Sequence, residues 1–165
     1  MVARVISGGQ TGADQAGLFA ARACGLATGG WAPAGWRTSA GVAHWLAEFG
    51  LREHASHEYP PRTGCNVKDA DATIILGDAS SQGCVLTLKY IRYFKRPYLV
   101  VARPFAVADA QRIADWLRAT RAVTLNVAGN RESSFPGIGQ DVYDLLTRAF
   151  WLALSGGKAP VTHCP

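Results

Sequence analysis

The chain has 165 residues, 48% of them hydrophobic, which suits one domain with a real core and argues against disorder. Lysine and arginine outnumber aspartate and glutamate by 17 to 12, a net charge of +5 that favours an anionic partner. No dense basic run tracks a nucleic-acid backbone, no apolar run is long enough to span a bilayer, and no apolar leader opens the chain, so the expected partner is neither nucleic acid nor membrane. The four cysteines, Cys24, Cys65, Cys84 and Cys164, form no C-x-x-C pair, and the chain reads as a cytoplasmic protein with reduced thiols.

Taken in chain order, the sequence alternates strand and helix. Val2 to Ile6 is a short apolar strand. It runs into Ser7-Gly8-Gly9-Gln10-Thr11-Gly12-Ala13-Asp14 and an alanine-rich amphipathic helix to Cys24, stopped by Gly25. Leu26 to Trp31 is a second strand, ending in Gly29-Gly30-Trp31-Ala32-Pro33. The stretch 34–61 is the least regular, although the spacing of Val42, Trp45, Leu46 and Phe49 predicts a helix there. Asn66 to Ala70 reads as a helical turn, Ala72 to Leu76 as a buried strand, Gly83 to Phe94 as a helix ended by Pro97, and Tyr98 to Ala102 as a strand. A helix over 108–120, a strand over 123–127 and a closing helix over 142–154 complete the pattern.

Short strands that are apolar on both faces fit a parallel sheet covered by helices on each side. The expected fold is α/β, Rossmann-like and doubly wound. Residues 1–155 form the single domain, and the glycine- and proline-bearing 156–165 reads as a flexible tail.

The residues with chemical potential follow the C-terminal ends of predicted strands. Four such loops start at Ser7, at Gly29, at Gly77 and at Asn126, and a parallel sheet gathers them on one edge. Glycines let a ligand approach the backbone, and the first N–H groups of a helix lack internal partners, so such an edge binds anions. The candidate ligand-binding residues are Ser7, Gly8, Gly9, Gln10, Thr11, Gly12 and Asp14 from the first loop, and Gly29, Gly30 and Trp31 from the second. Ser81, Gly83 and Thr87 come from the third, and Asn126, Arg131 and Ser133 from the fourth. Arg131 is the best charged candidate, since a guanidinium grips an oxyanion bidentately; its structural alternative is pairing with Glu132 or Asp141. Asp14 can equally complement the helix dipole, and Ser81 can equally be a helix N-cap. The first loop lacks the lysine of a P-loop, and no acid ends the second strand as a dinucleotide fold requires. No catalytic set and no metal-ligand set stands out.

These loops resemble the molybdenum-cofactor carrier proteins, within the Rossmann-like lysine-decarboxylase-like and cytokinin-activating group. The matching blocks are residues 7–14, 28–33 and 66–71, Gly83 with Thr87, and residues 125–133. Cys84 departs from the small residue expected after Gly83. The resemblance implies a Rossmann-like fold, a homo-oligomer (dimer or tetramer), and molybdenum cofactor (molybdopterin) held as an anionic small-molecule ligand for a molybdoenzyme acceptor. The alternative it implies is a nucleotide phosphoribohydrolase, or a nucleotide-sensing domain. The hydrolases of the group carry P-G-G-x-G-T-x-x-E, and the stretch 81–87 here offers no following glutamate.

Overall fold

The computed structural model describes residues 1–155. The expected tail, 156–165, with Cys164, lies outside the described residues. Six parallel strands form one sheet. In chain order they are β1 (Arg4–Ser7), β2 (Ala27–Ala32), β5 (Leu51–Glu53), β6 (Ala72–Leu76), β7 (Tyr98–Val101) and β8 (Thr124–Gly129). Their spatial order is β5-β2-β1-β8-β6-β7. The remaining two, β3 (Arg37–Thr38) and β4 (Gly41–Val42), make a separate antiparallel hairpin. The helices are α1 (Ala13–Ala23), α2 (Tyr59–Asp69), α3 (Gln82–Phe94), α4 (Asp109–Thr120) and α5 (Ile138–Leu154). The α/β, doubly wound, Rossmann-like expectation holds.

Both faces of the central sheet are buried, which is why β6 is apolar along most of its length. All five residues of β6 are buried, and they alternate. Ile74 and Leu76 pack with α1, α4 and α5, while Ile75 packs with Val67 of α2 and with Cys84 and Ile91 of α3. The alanines of α1 let that helix sit close to the sheet. A Cβ on Gly17 would meet Val127 Cγ1 at 2.6 Å, so glycine there sets the approach of α1 to β8. Asp71 fixes the register of β8 at its start, its Oδ2 accepting the Val123 and Thr124 amides at 2.9 and 2.8 Å. Among the described residues no helix is long and apolar enough to cross a membrane.

Two local expectations differ. Residues 42–49 are not an α-helix: Val42 ends the β3–β4 hairpin and His44–Phe49 is a 3-10 turn. Its buried residues, Leu46 and Phe49, are three apart, the 3-10 period, while Val42 and Trp45 are exposed. The helical turn expected from Asn66 begins much earlier, as α2 at Tyr59, with Pro60 and Pro61 in its first turn.

The chain winds outward from β1 through β2 to β5, and separately through β6 to β7. β8 then returns between β1 and β6, pairing Ile6 with Asn126 on one side and Leu76 with Gly129 on the other. The loops after β1, β6 and β8 therefore meet at the point where the winding reverses, and a crevice forms there beyond the strand ends.

Candidate functional site

A cavity of about 360 Å³ occupies this crevice, on the α2–α3 face of the sheet. The loop after β1 contributes Gly8, Gln10 and Asp14, and α2 contributes Tyr59, Pro60, Arg62, Thr63 and Asn66. The start of α3 contributes Gln82, Gly83, Leu86 and Thr87, and β8 with its exit contributes Asn126 to Gly129 and Arg131. Of the sequence candidates, Gly8, Gln10, Asp14, Gly83, Thr87, Asn126 and Arg131 come together around one space.

Arg62 and Asp14 form the buried heart of the cavity. Arg62 Nη1 lies 3.4 Å from Asp14 Oδ2, with both side chains 10% exposed. The same Oδ2 accepts the Gln10 amide at 3.3 Å. Burial pushes the Asp14 carboxyl above its ordinary value, against the pull of Arg62, the Gln10 amide and Arg131. Arg62 Nε is buried and has no hydrogen-bond partner among the described residues. An orphaned buried donor of this kind costs about 1–3 kcal/mol unless something else satisfies it.

Arg131 stands at the mouth and is exposed. Neither expected acidic neighbour holds it. Glu132 accepts the backbone amides of Gly137 and Gly139 (2.9 Å for the latter) at the start of α5, and Asp141 pairs with Arg103 at 2.7 Å. The Arg131 guanidinium instead lies over the Tyr59 ring, Cζ 4.8 Å from its centre, with the Arg62 Cζ 5.4 Å from the same centre. The charged groups lining the cavity are thus two guanidiniums and one carboxylate.

The N-terminus of α3 faces the same space. Its N-cap, Ser81, makes no side-chain cap. The Ser81 hydroxyl instead accepts Asn130 Nδ2 at 2.9 Å, and Asn130 Oδ1 accepts the Asp78 amide at 2.6 Å, which ties the β8 exit to the loop after β6. The first N–H groups of α3 have no partner inside the helix. A Cβ on Gly83 would meet nothing within 4 Å, so the space in front of this helix end is open. Thr87, one turn on, is buried, its hydroxyl donating to the Gly83 carbonyl at 2.9 Å.

The other sequence candidates do not line the cavity. The buried Ser7 hydroxyl donates to the Asp14 carbonyl and accepts the Gly9 amide. Gly9, at φ +72°, faces Leu46 and Leu51. Thr11 touches Ser39 of the hairpin, and the Gln10 side-chain oxygen accepts the Thr11 and Ser39 amides at 3.0 and 2.8 Å. Gly12, at φ +91°, lets the first loop press on Asn130 and Glu132. Gly29 lies under the Arg4 guanidinium, and Gly30 lies against the Ser7 backbone. Trp31 is held by Asn66, which donates to its carbonyl at 3.1 Å and accepts its amide at 2.9 Å, while the indole N–H donates to Asp69 at 2.8 Å. Ser133 is exposed in the turn that leads to α5.

Tyr59, Arg62 and Gln82 line the cavity without having been singled out from sequence. Proline in a helix's first turn was the available signal for α2, and it places Arg62 one residue after Pro61. The Cys24, Cys65 and Cys84 side chains do not line the cavity. Burial pushes the Cys65 and Cys84 thiols up, and Cys84 is buried against Asn130. Among the described residues no three histidine, cysteine or acidic side chains converge as a metal site.

The model of the circularly permutated YpsA SLOG family matches residues 5–150. A crystal structure of a putative molybdenum carrier protein from Syntrophus aciditrophicus SB aligns with a TM-score of 0.82 at 33% identity, covering 90% of this chain and 94% of that one. No curated protein matches.

Proposed function

The chain belongs to the circularly permutated YpsA SLOG family, and on that footing we propose that it is a binding protein for a phosphate-bearing anionic small molecule, the molybdenum cofactor being the ligand its structural neighbour favours. The observation that carries this reading is the convergence of Arg62, Arg131 and the uncapped start of α3 on one open cavity. A phosphate at the α3 terminus meets backbone N–H groups, the helix dipole and a guanidinium with no carboxylate partner among the described residues. The cofactor carries such a phosphate and an anionic metal–oxo head, and both suit a chain of net charge +5. As a carrier it would act in the cytoplasm, as a homo-oligomer, and hand its ligand to a molybdoenzyme acceptor.

Loading tests this directly. After anaerobic incubation with molybdenum cofactor and gel filtration, the protein peak should contain molybdenum. Arg131→Ala should lose it, and Lys89→Ala, on the exposed side of α3, should keep it. A wild-type peak free of molybdenum would remove the cofactor as ligand.

One observation favours a second reading, a nucleotide phosphoribohydrolase. Asp14 puts a buried carboxylate in the cavity, where the start of α3 supplies none. Incubation with nucleoside 5′-monophosphates, followed by chromatography for the free base, separates the two readings: base release supports hydrolysis, and intact nucleotide supports binding alone.

A further inference from the structure

The cavity has two chemically different ends. Its outer end, at Gln82, Gly83 and Arg131, is exposed and donates hydrogen bonds. Its inner end, at Asp14 and Asn126, is buried, and there the protein adds acceptors beside the Arg62 guanidinium. Both hydrogen bonds to the Asp14 carboxylate fall on Oδ2, from the Gln10 amide at 3.3 Å and from Arg62 at 3.4 Å, so Oδ1 is without a partner among the described residues. Asn126 donates its amide to Thr73 Oγ1 at 3.3 Å, which turns its own Oδ1 into a second acceptor. The Arg62 charge is already paired with Asp14 there, so a bare oxyanion finds less at this end than at the α3 terminus. A ligand bearing N–H or O–H groups would satisfy the carboxylate.

We propose that Asp14 is the specificity-determining residue of this cavity. Its free Oδ1 accepts a hydrogen bond from the ligand, so the ligand is a phosphomonoester with N–H or O–H donors at the end remote from its phosphate. This rests on the anion-binding reading above and narrows it. The phosphate lies at the α3 terminus with Arg131. The donor-bearing end lies inward, against Asp14 and Asn126. Arg62 joins the two: its Nη1 steadies Asp14, and its buried Nε, without a partner among the described residues, is a spare donor on a residue that lines the cavity. A site built to hydrogen-bond a ligand discriminates against the analogue that lacks the matching group, because that analogue forgoes the bond to the carboxylate.

The test is calorimetric titration of the full chain with methyl phosphate, which has no donor beyond its phosphate, and with guanosine and adenosine 5′-monophosphates, which have several. Wild type should bind at least one of the nucleotides about tenfold or more tighter than methyl phosphate, the worth of about one charge-assisted hydrogen bond. Asp14→Asn should weaken that nucleotide by about tenfold while leaving methyl phosphate unchanged or tighter, since a negative charge has gone. Equal changes for both ligand kinds would overturn the proposal and leave Asp14 as only the counter-ion of Arg62. Nucleotides that bind no better than methyl phosphate would overturn it while sparing the anion site. No binding of any phosphomonoester would overturn the anion-binding reading as well.

If Asp14→Asn fails to fold, the wild-type pH profile decides. The groups facing Asp14 are Arg62 of α2, Arg131 after β8, and Cys84 of α3. The ratio of nucleotide to methyl phosphate affinity cancels the ionisation that the two phosphates share. That ratio should rise with pH as Asp14 loses its proton, and a flat ratio would overturn the proposal.

Discussion

The Arg62 guanidinium occupies the space that a side chain at position 8 would take: a Cβ on Gly8 would overlap Nη1 and come within 2.9 Å of Asp14 Oδ2. Glycine in the first loop therefore serves an arginine that comes from α2, 54 positions later in the chain. Gly8→Ala should leave the fold intact by circular dichroism and displace the guanidinium from Asp14. Inorganic phosphate should then bind about tenfold more weakly, the scale of one charge-assisted hydrogen bond. Unchanged affinity would show that Arg62 takes no part in holding the anion.

Neighbouring glycines should behave oppositely. At Gly9 a Cβ would meet Leu46 Cδ1 at 2.6 Å and Leu51 Cδ2 at 3.0 Å, at a φ of +72°. Gly9→Ala should therefore destabilise the domain by about 1–2 kcal/mol from backbone conformation alone, with overpacking added. At Gly83 the added Cβ meets nothing, and the residue is helical. Gly83→Ala should keep or raise stability, by up to about 1 kcal/mol, while weakening phosphate binding because the methyl group enters the space in front of the α3 amides. Urea unfolding of both variants, with phosphate titration of the second, checks the pair. A strongly destabilised Gly83→Ala would mean that the space is already filled.

Asp14 makes stability depend on pH in a definite direction. Its carboxyl is raised above the ordinary value of 3.8, first by burial. The folded chain thus keeps this proton over a range in which the unfolded chain has released it. The contribution is full below the unfolded value and is lost as pH rises through the folded one. Wild type should lose stability relative to Asp14→Asn as pH rises through that window. Urea unfolding of both proteins from about pH 3.5 to about pH 7.5 gives the difference directly. A difference that is constant across the range would show that the carboxyl titrates at its ordinary value.

The frame of this fold was legible because its signals are local. Apolar strands that run into glycine-bearing loops mark β1, β6 and β8, and an alanine face marks α1. The inner half of the cavity was hidden for a physical reason. The buried face of α2 is Arg62, Gly64, Asn66 and Val67, so a helix of full length carries almost no apolar period. Its Pro60 and Pro61 look like chain breakers unless they are read as first-turn residues. The pairing of Arg62 with Asp14 spans 48 positions and needs β8 between β1 and β6, which no local pattern states. Residues 42–49 show the reverse case. Their apolar spacing is real, but a period of three fits it as well as one of 3.6.

The central claim is that an anion sits in front of α3 within reach of Arg62 and Arg131. Amide and guanidinium chemical shifts of the isotopically labelled chain, followed during titration with methyl phosphate, address it most directly. The account predicts saturable shifts confined to the Gln82, Gly83 and Cys84 amides and to the Arg62 and Arg131 side chains. No saturable shifts, or shifts centred on the groove between α1 and α5 around Phe19 and Tyr143, would contradict it.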